Sequence, residues 1–104
     1  MVETNEKLIL AGFDLEPAER AIADNLIKSH VHKIASRADY DYITLNLKKT
    51  QKGKNTLHDV RGSLKSGKLL LKSTATDYNL YAALAEVLEN LLKELEHKLR
   101  TNRQ

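Results

Sequence analysis

Hydrophobic and polar positions alternate with a period that changes along the chain, and each change marks an element. Lys7 to Ala11 is a short apolar run closed by Gly12, which suits a strand better than a helix of that length. Glu16-Pro17 opens a helix, because the fixed φ and missing N–H of proline are tolerated in a first turn. Ala18, Ile22, Leu26, Ile27, Val31 and Ile34 follow at short helical steps, a stripe that predicts an amphipathic helix ending before Tyr40.

From Tyr42 the period becomes two. Ile43, Leu45 and Leu47 face one way, and Tyr42, Thr44, Asn46 and Lys48 the other, the mark of a half-buried strand. Lys49 to Asn55 is polar, contains Gly53 and reads as a turn. Alternation resumes with Val60, Gly62 and Leu64 opposite Arg61, Ser63 and Lys65. Ser66-Gly67 then closes a tight hairpin into a strand over Lys68 to Thr76. Thr76 or Asp77 is placed to cap a last helix running to about Arg100, with Leu80, Leu84, Val87, Leu88, Leu91, Leu95 and Leu99 along its covered side.

The order is β-α-β-β-β-α. It predicts an α+β fold of two layers, a four-stranded sheet with both helices on one face and the other face open. Residues 1–104 read as a single domain. A last helix of about 36 Å exceeds what a strand of five or six residues covers, so its end, about residues 93–104, is expected to project. Its leucines Leu88, Leu92, Leu95 and Leu99 approximate a short seam for a second helix.

Charge changes the picture. Between Lys48 and Lys72 there are eight Lys/Arg and one acid, Asp59, so a net charge of +3 conceals a local charge of +7. Such a block points to an anionic partner, and RNA comes first because phosphate contacts dominate protein–nucleic acid affinity. The absence of cysteine excludes disulfides, thiolate metal sites and cysteine nucleophiles. No apolar stretch is long enough to span a bilayer and the N-terminus lacks the pattern of a signal peptide, so the chain is expected to be cytoplasmic, without a membrane partner.

Candidate chemistry is sparse. His30 and His32 stand two apart on a helix and point to different sides, so they do not chelate one ion, and no metal is expected. His58 points away from the adjacent Asp59 in a strand, and no nucleophile accompanies it. Of the four tyrosines, Tyr42 is the one expected on an open surface. Glu86, Glu89, Glu94 and Glu96 lie among lysines on the last helix, where surface ion pairs contribute little. No catalytic pair and no cofactor motif is visible, and the chain is not read as an enzyme.

The junction Thr76-Asp77-Tyr78-Asn79-Leu80-Tyr81-Ala82-Ala83-Leu84 resembles that of the bacterial-type ribosome hibernation-promoting factors and cold-shock ribosome-associated inhibitors. The order of elements follows that family across essentially the whole chain. Only the Leu-Tyr-Ala-Ala step is specific. Its two alanines are expected to let the helix sit close on the sheet, while Tyr81 packs with its hydroxyl in water. The resemblance implies a non-enzymatic factor of the stress response that binds the small ribosomal subunit and its ribosomal RNA near the decoding region, inhibiting or storing idle ribosomes. It also implies that Lys28, Lys93 and His97 occupy positions that are usually basic, whereas Asn90 and Ala85 depart from the pattern.

Two contact sets follow. The charge block supplies Lys48, Lys49, Lys52, Lys54, Arg61, Lys65, Lys68 and Lys72. The helices supply Lys28, Lys33, Lys93, His97, Lys98 and Arg100. Two other readings stay open, a double-stranded-RNA-binding module with a related element order and a protein-interaction domain that dimerises through its last helix. Against the first, Asp77-Tyr78-Asn79 stands where that module carries lysines. A homodimer is compatible with RNA binding.

Overall fold

The computed structural model describes residues 7–101. Strand β1 (Leu8–Ala11) leads through helix α1 (Pro17–Arg37) to β2 (Tyr42–Lys52), then β3 (Asn55–Ser66), β4 (Leu69–Asp77) and helix α2 (Leu80–Thr101). The strands form one sheet in the order β1-β2-β3-β4. β1 runs parallel to β2, with Leu8 opposite Ile43, and the other two pairings are antiparallel. This is the α+β architecture that the sequence pattern predicts.

One sheet face is apolar because the strand period places Ile43, Leu45, Leu47, Val60, Leu64, Leu71 and Ala75 on it, and all are buried. α2 covers this face with Leu80, Leu84, Val87, Leu88, Leu91 and Leu95, each at most 3% exposed. Close approach of α2 depends on Gly62 in β3. A Cβ there would lie 2.6 Å from Val87 Cγ1, 3.2 Å from Leu45 Cδ2 and 3.3 Å from Leu91 Cδ1. Ala83 is buried, whereas Ala82 is exposed, so one alanine of the pair and not both meets the core.

α1 packs against the same core through Ala23, Asp24, Ile27 and Ile34, with Leu26 and Val31 partly buried. Ala18 and Ile22 do not join them. Ile22 is 50% exposed and Ala18 is also exposed. At 3.6 residues per turn Ile22 lies about 140° around the helix from Ile27, and Ala18 about 180°, so the first turns of the expected stripe face solvent. At the start of α1, Glu19 reaches back to accept from the Glu16 N–H at 3.2 Å, ahead of Pro17.

α2 is capped later than expected. Asn79 Oδ1 accepts from the N–H groups of Tyr81 (2.9 Å) and Ala82 (3.1 Å), and Asp77 Oδ1 accepts from Asn79 N–H at 2.8 Å. Asp77 thus shapes the turn and Asn79 caps the helix. At the other end Leu95 is fully buried and Leu99 partly buried, while Glu96 lies 3.9 Å from Arg37 at the end of α1. Strands β2, β3 and β4 are longer than five or six residues and α1 runs alongside, so α2 is covered beyond residue 93. The seam also changes meaning, since Leu88 and Leu95 are spent within the core. Residues 102–104 of the expected projection lie outside the described residues.

Candidate nucleic-acid interface

The structure resolves the charge block into a ribbon and an open face. β2 pairs with β3 as far as Lys52 opposite Asn55, but β4 reaches only His58, opposite Asp77. The last pairs, Thr50 with Leu57, Gln51 with Thr56 and Lys52 with Asn55, therefore continue as a two-stranded ribbon beyond β4. Lys49 to Lys52 is strand rather than turn. With little covering the ribbon, neither side must be apolar, so the alternation that marks β2 stops at Lys48 although the strand continues.

The connection itself is the two-residue turn Gly53-Lys54. Gly53 has φ +62° and no non-glycine residue in the described chain has positive φ, which matches a II′ hairpin with glycine first. Gln51 Nε2 donates to Gly53 O at 3.0 Å, and Thr56 Oγ1 donates to Gln51 Oε1 at 3.2 Å. Lys52 and Lys54 sit exposed at this tip. Lys49 points to the other side of the ribbon, where its Nζ donates to the Asp14 carbonyl and ties the ribbon base to the loop before α1.

The open face is an ordered grid. Reading across β2, β3 and β4, its rows are Tyr42, Lys65 and Leu70; Thr44, Ser63 and Lys72; Asn46, Arg61 and Thr74; and Lys48, Asp59 and Thr76. Its middle forms a shallow concavity of about 630 Å³ lined by Thr44, Asn46, Asp59, Arg61, Ser63, Lys72, Thr74 and Thr76. The Arg61 side chain is 72% exposed, and its guanidinium lies 3.8 Å from the Asp59 carboxylate. Thr76 Oγ1 donates to that carboxylate at 3.4 Å, a long bond. Lys65 bends to the β3–β4 turn, donating to Gly67 O at 2.6 Å, and Lys68 is exposed in the same turn.

The helical set occupies the opposite layer. Lys28 and Lys33 on α1, and Lys93, His97, Lys98 and Arg100 on α2, are all exposed. They share the layer with the acids Glu86, Glu89, Glu94 and Glu96. Lys28 borders a second depression together with Lys7, Val31, His32 and Tyr40. The Lys7 ammonium stands 4.2 Å from the centre of the Tyr40 ring, a cation–π contact. The two contact sets are therefore not one continuous surface.

The remaining candidates fall elsewhere. His30 is half-buried on the α2 side, donating from Nδ1 to Leu26 O at 2.9 Å with Nε2 at 3.9 Å from Glu89, while His32 is exposed beside Lys28. Among the described residues no cluster of three or more His, Asp or Glu side chains is arranged to hold a metal. His58 is buried on the helix-facing side of β3 and its Nδ1 lies 2.9 Å from Tyr78 O. A carbonyl only accepts, so that nitrogen carries the proton, and the ring anchors the β4–α2 turn. Tyr42 is half-buried on the open face, and the most exposed tyrosine is Tyr78, at 56%. The charge block gives no sign of the uncharged lining Ser63, Thr74 and Thr76; strand parity puts these residues on the open side with Arg61 and Lys72, but nothing in their types singles them out as part of a site.

No family model matches the sequence, and no curated protein does either. Among solved structures, the N-terminal domain of Thermus thermophilus Protein Y matches at a TM-score of 0.55 and 15% identity, covering 90% of this chain and 98% of that one. A ribosomal subunit interface protein from Coxiella burnetii matches at 0.60 and 15% identity, with the same coverage of 90% and 98%. The architecture implied by the sequence resemblance is therefore the one this chain adopts.

Proposed function

We propose that this chain is a non-enzymatic ribosome-associated factor that binds small-subunit ribosomal RNA near the decoding region and inhibits or stores idle ribosomes in the cytoplasm under stress. The observation that carries the reading is the placement of a +7 block on the exposed ribbon and open face of a domain folded like a ribosomal subunit interface protein. Binding is electrostatic in the main. The ribbon tip, with Lys52 and Lys54, reaches into a groove of the RNA, while Lys48, Arg61, Lys65, Lys68 and Lys72 hold phosphates behind it. Lys49 supports the ribbon base, and Lys28, Lys33, Lys93, His97, Lys98 and Arg100 meet RNA from the other side of a channel. The body then blocks the path of messenger or tRNA by occupying it.

The test is co-sedimentation of the purified protein with small subunits, whole ribosomes and a generic RNA duplex, at low and physiological salt. Selective retention on subunits or ribosomes at physiological salt is expected, together with inhibition of translation in a reconstituted system. Equal binding to every RNA that disappears with salt would replace this function with that of a generic basic surface.

A further inference from the structure

We propose that the open sheet face is a track for the sugar–phosphate backbone of single-stranded RNA, with Lys72, Arg61 and Lys48 as successive phosphate contacts and Asp59 accepting from a ribose 2′-hydroxyl. The inference rests on the RNA-binding reading and names the strand class and the face that takes it. Lys72 lies on β4 one row from Arg61 on β3, and Arg61 lies one row from Lys48 on β2. Each step combines two residues along a strand with one strand spacing, so the cations follow a diagonal at intervals of about 8 Å. An extended sugar–phosphate backbone can match that spacing.

Two features decide between strand classes. The lining from β2 to β4 spans two strand spacings, about 10 Å, which seats one backbone and not the paired phosphate rows of a duplex. Among the residues of the four rows the one aromatic is half-buried Tyr42, at the far end, so the middle of the face has no platform for stacking bases. Recognition falls on the backbone and is tolerant of sequence. Thr74 supplies a hydroxyl to phosphate or sugar oxygens, and Thr44 and Ser63, hydrogen-bonded to each other, keep one O–H between them for the same use.

Asp59 gives the track its selectivity. A carboxylate only accepts hydrogen bonds, so beside Arg61 it opposes a second phosphate and favours a donor. The ribose 2′-hydroxyl is such a donor and the feature by which RNA differs from DNA. Without that hydroxyl, the same carboxylate remains as uncompensated repulsion.

Fluorescence anisotropy with a labelled oligouridylate, the matching oligodeoxyuridylate and an RNA duplex tests this. The variants are Arg61→Glu, Lys72→Glu, Asp59→Asn and, as a control of equal charge change on the helical layer, Arg37→Glu, each checked for folding by circular dichroism. The expected order is oligouridylate over oligodeoxyuridylate and duplex, with a log–log salt slope of about −2 for three phosphates. Arg61→Glu and Lys72→Glu should each weaken oligouridylate binding by about tenfold, and Arg37→Glu by no more than about twofold. Asp59→Asn should narrow the preference for RNA by raising affinity for the deoxy oligomer. Tighter binding of duplex, or equal losses from Arg37→Glu and Arg61→Glu, would overturn the track, and an unchanged RNA preference in Asp59→Asn would overturn the role of Asp59. Wild-type protein retained on ribosomes with oligouridylate affinity insensitive to Arg61→Glu and Lys72→Glu would remove the track alone. The expected oligouridylate results without ribosome retention would remove the ribosomal function alone.

Discussion

Replacing Gly62 by alanine adds one methyl group at the point where α2 rests on β3, and the structure sets its cost. The new Cβ would stand 2.6 Å from Val87 Cγ1, where carbon atoms at rest lie about 3.5–4.0 Å apart, so something must move by about 1 Å. Val87 cannot easily swing aside, because a β-branched side chain in a helix has one strongly preferred rotamer. Leu45 and Leu91 close the alternatives at 3.2 and 3.3 Å. Overpacking of this kind costs about 1–3 kcal/mol. Loss of glycine freedom in the unfolded chain returns about 0.4–1 kcal/mol, leaving a net loss of about 1–2 kcal/mol. For a domain of this size the melting temperature should fall by roughly 4–16 °C, read by circular dichroism. Val87→Ala alone should cost about 2 kcal/mol, but the double variant should recover at least about 1 kcal/mol of the summed losses because the two sites share one space. A Gly62→Ala protein as stable as the parent would refute the close approach of α2.

The capping assignment predicts that Asn79→Ala lowers stability by about 1 kcal/mol and costs more than Asp77→Ala, with the reverse order in thermal melts counting against it. On α1, Ile22→Lys should stay within about 0.5 kcal/mol of the parent, whereas Ile27→Ala should lose about 2–5 kcal/mol in denaturant titrations. Deleting the paired residues Thr50, Gln51, Thr56 and Leu57 keeps every cation and the strand parity while drawing the ribbon tip back by about 7 Å. Ribosome retention should weaken while the melting temperature stays within a few degrees; full retention would show that reach plays no part.

The fold was legible wherever one side of an element is buried and the other wet. Ile43 to Lys48 and Val60 to Lys65 alternate because one face meets α2, and Leu80 to Leu95 repeat because α2 meets the sheet. Legibility failed where that contrast is absent. Lys49 to Lys52 form strand with polar residues on both sides, so periodicity offered nothing and the Gly53 turn seemed longer than it is. Ala18 and Ile22 misled for the opposite reason, being apolar residues on an exposed helix side. Asn79 and Asp77 are both good caps, and only the backbone geometry separates the residue that caps from the one that turns.

The basic candidates were legible as a list and not as a surface, and this distinction bears on how the protein would meet RNA. At 15% identity the solved neighbours share a backbone with this chain, while its surface charge must be read from its own residues. Here the two layers differ. The sheet side and ribbon carry eight cations against Asp59, whereas the exposed lysines of α2 are interspersed with Glu86, Glu89 and Glu94. A body charged in this way turns its sheet side toward a polyanion before contact, since the summed field acts beyond the range of any one pair and weakens over about 10 Å at moderate salt. Reversing charge on Arg61 and Lys72 should therefore slow association as well as weaken the complex, and the slowing should shrink as salt is raised. Stopped-flow binding at two ionic strengths measures both, and an association rate indifferent to those substitutions at low salt would mean that the helical layer leads the approach.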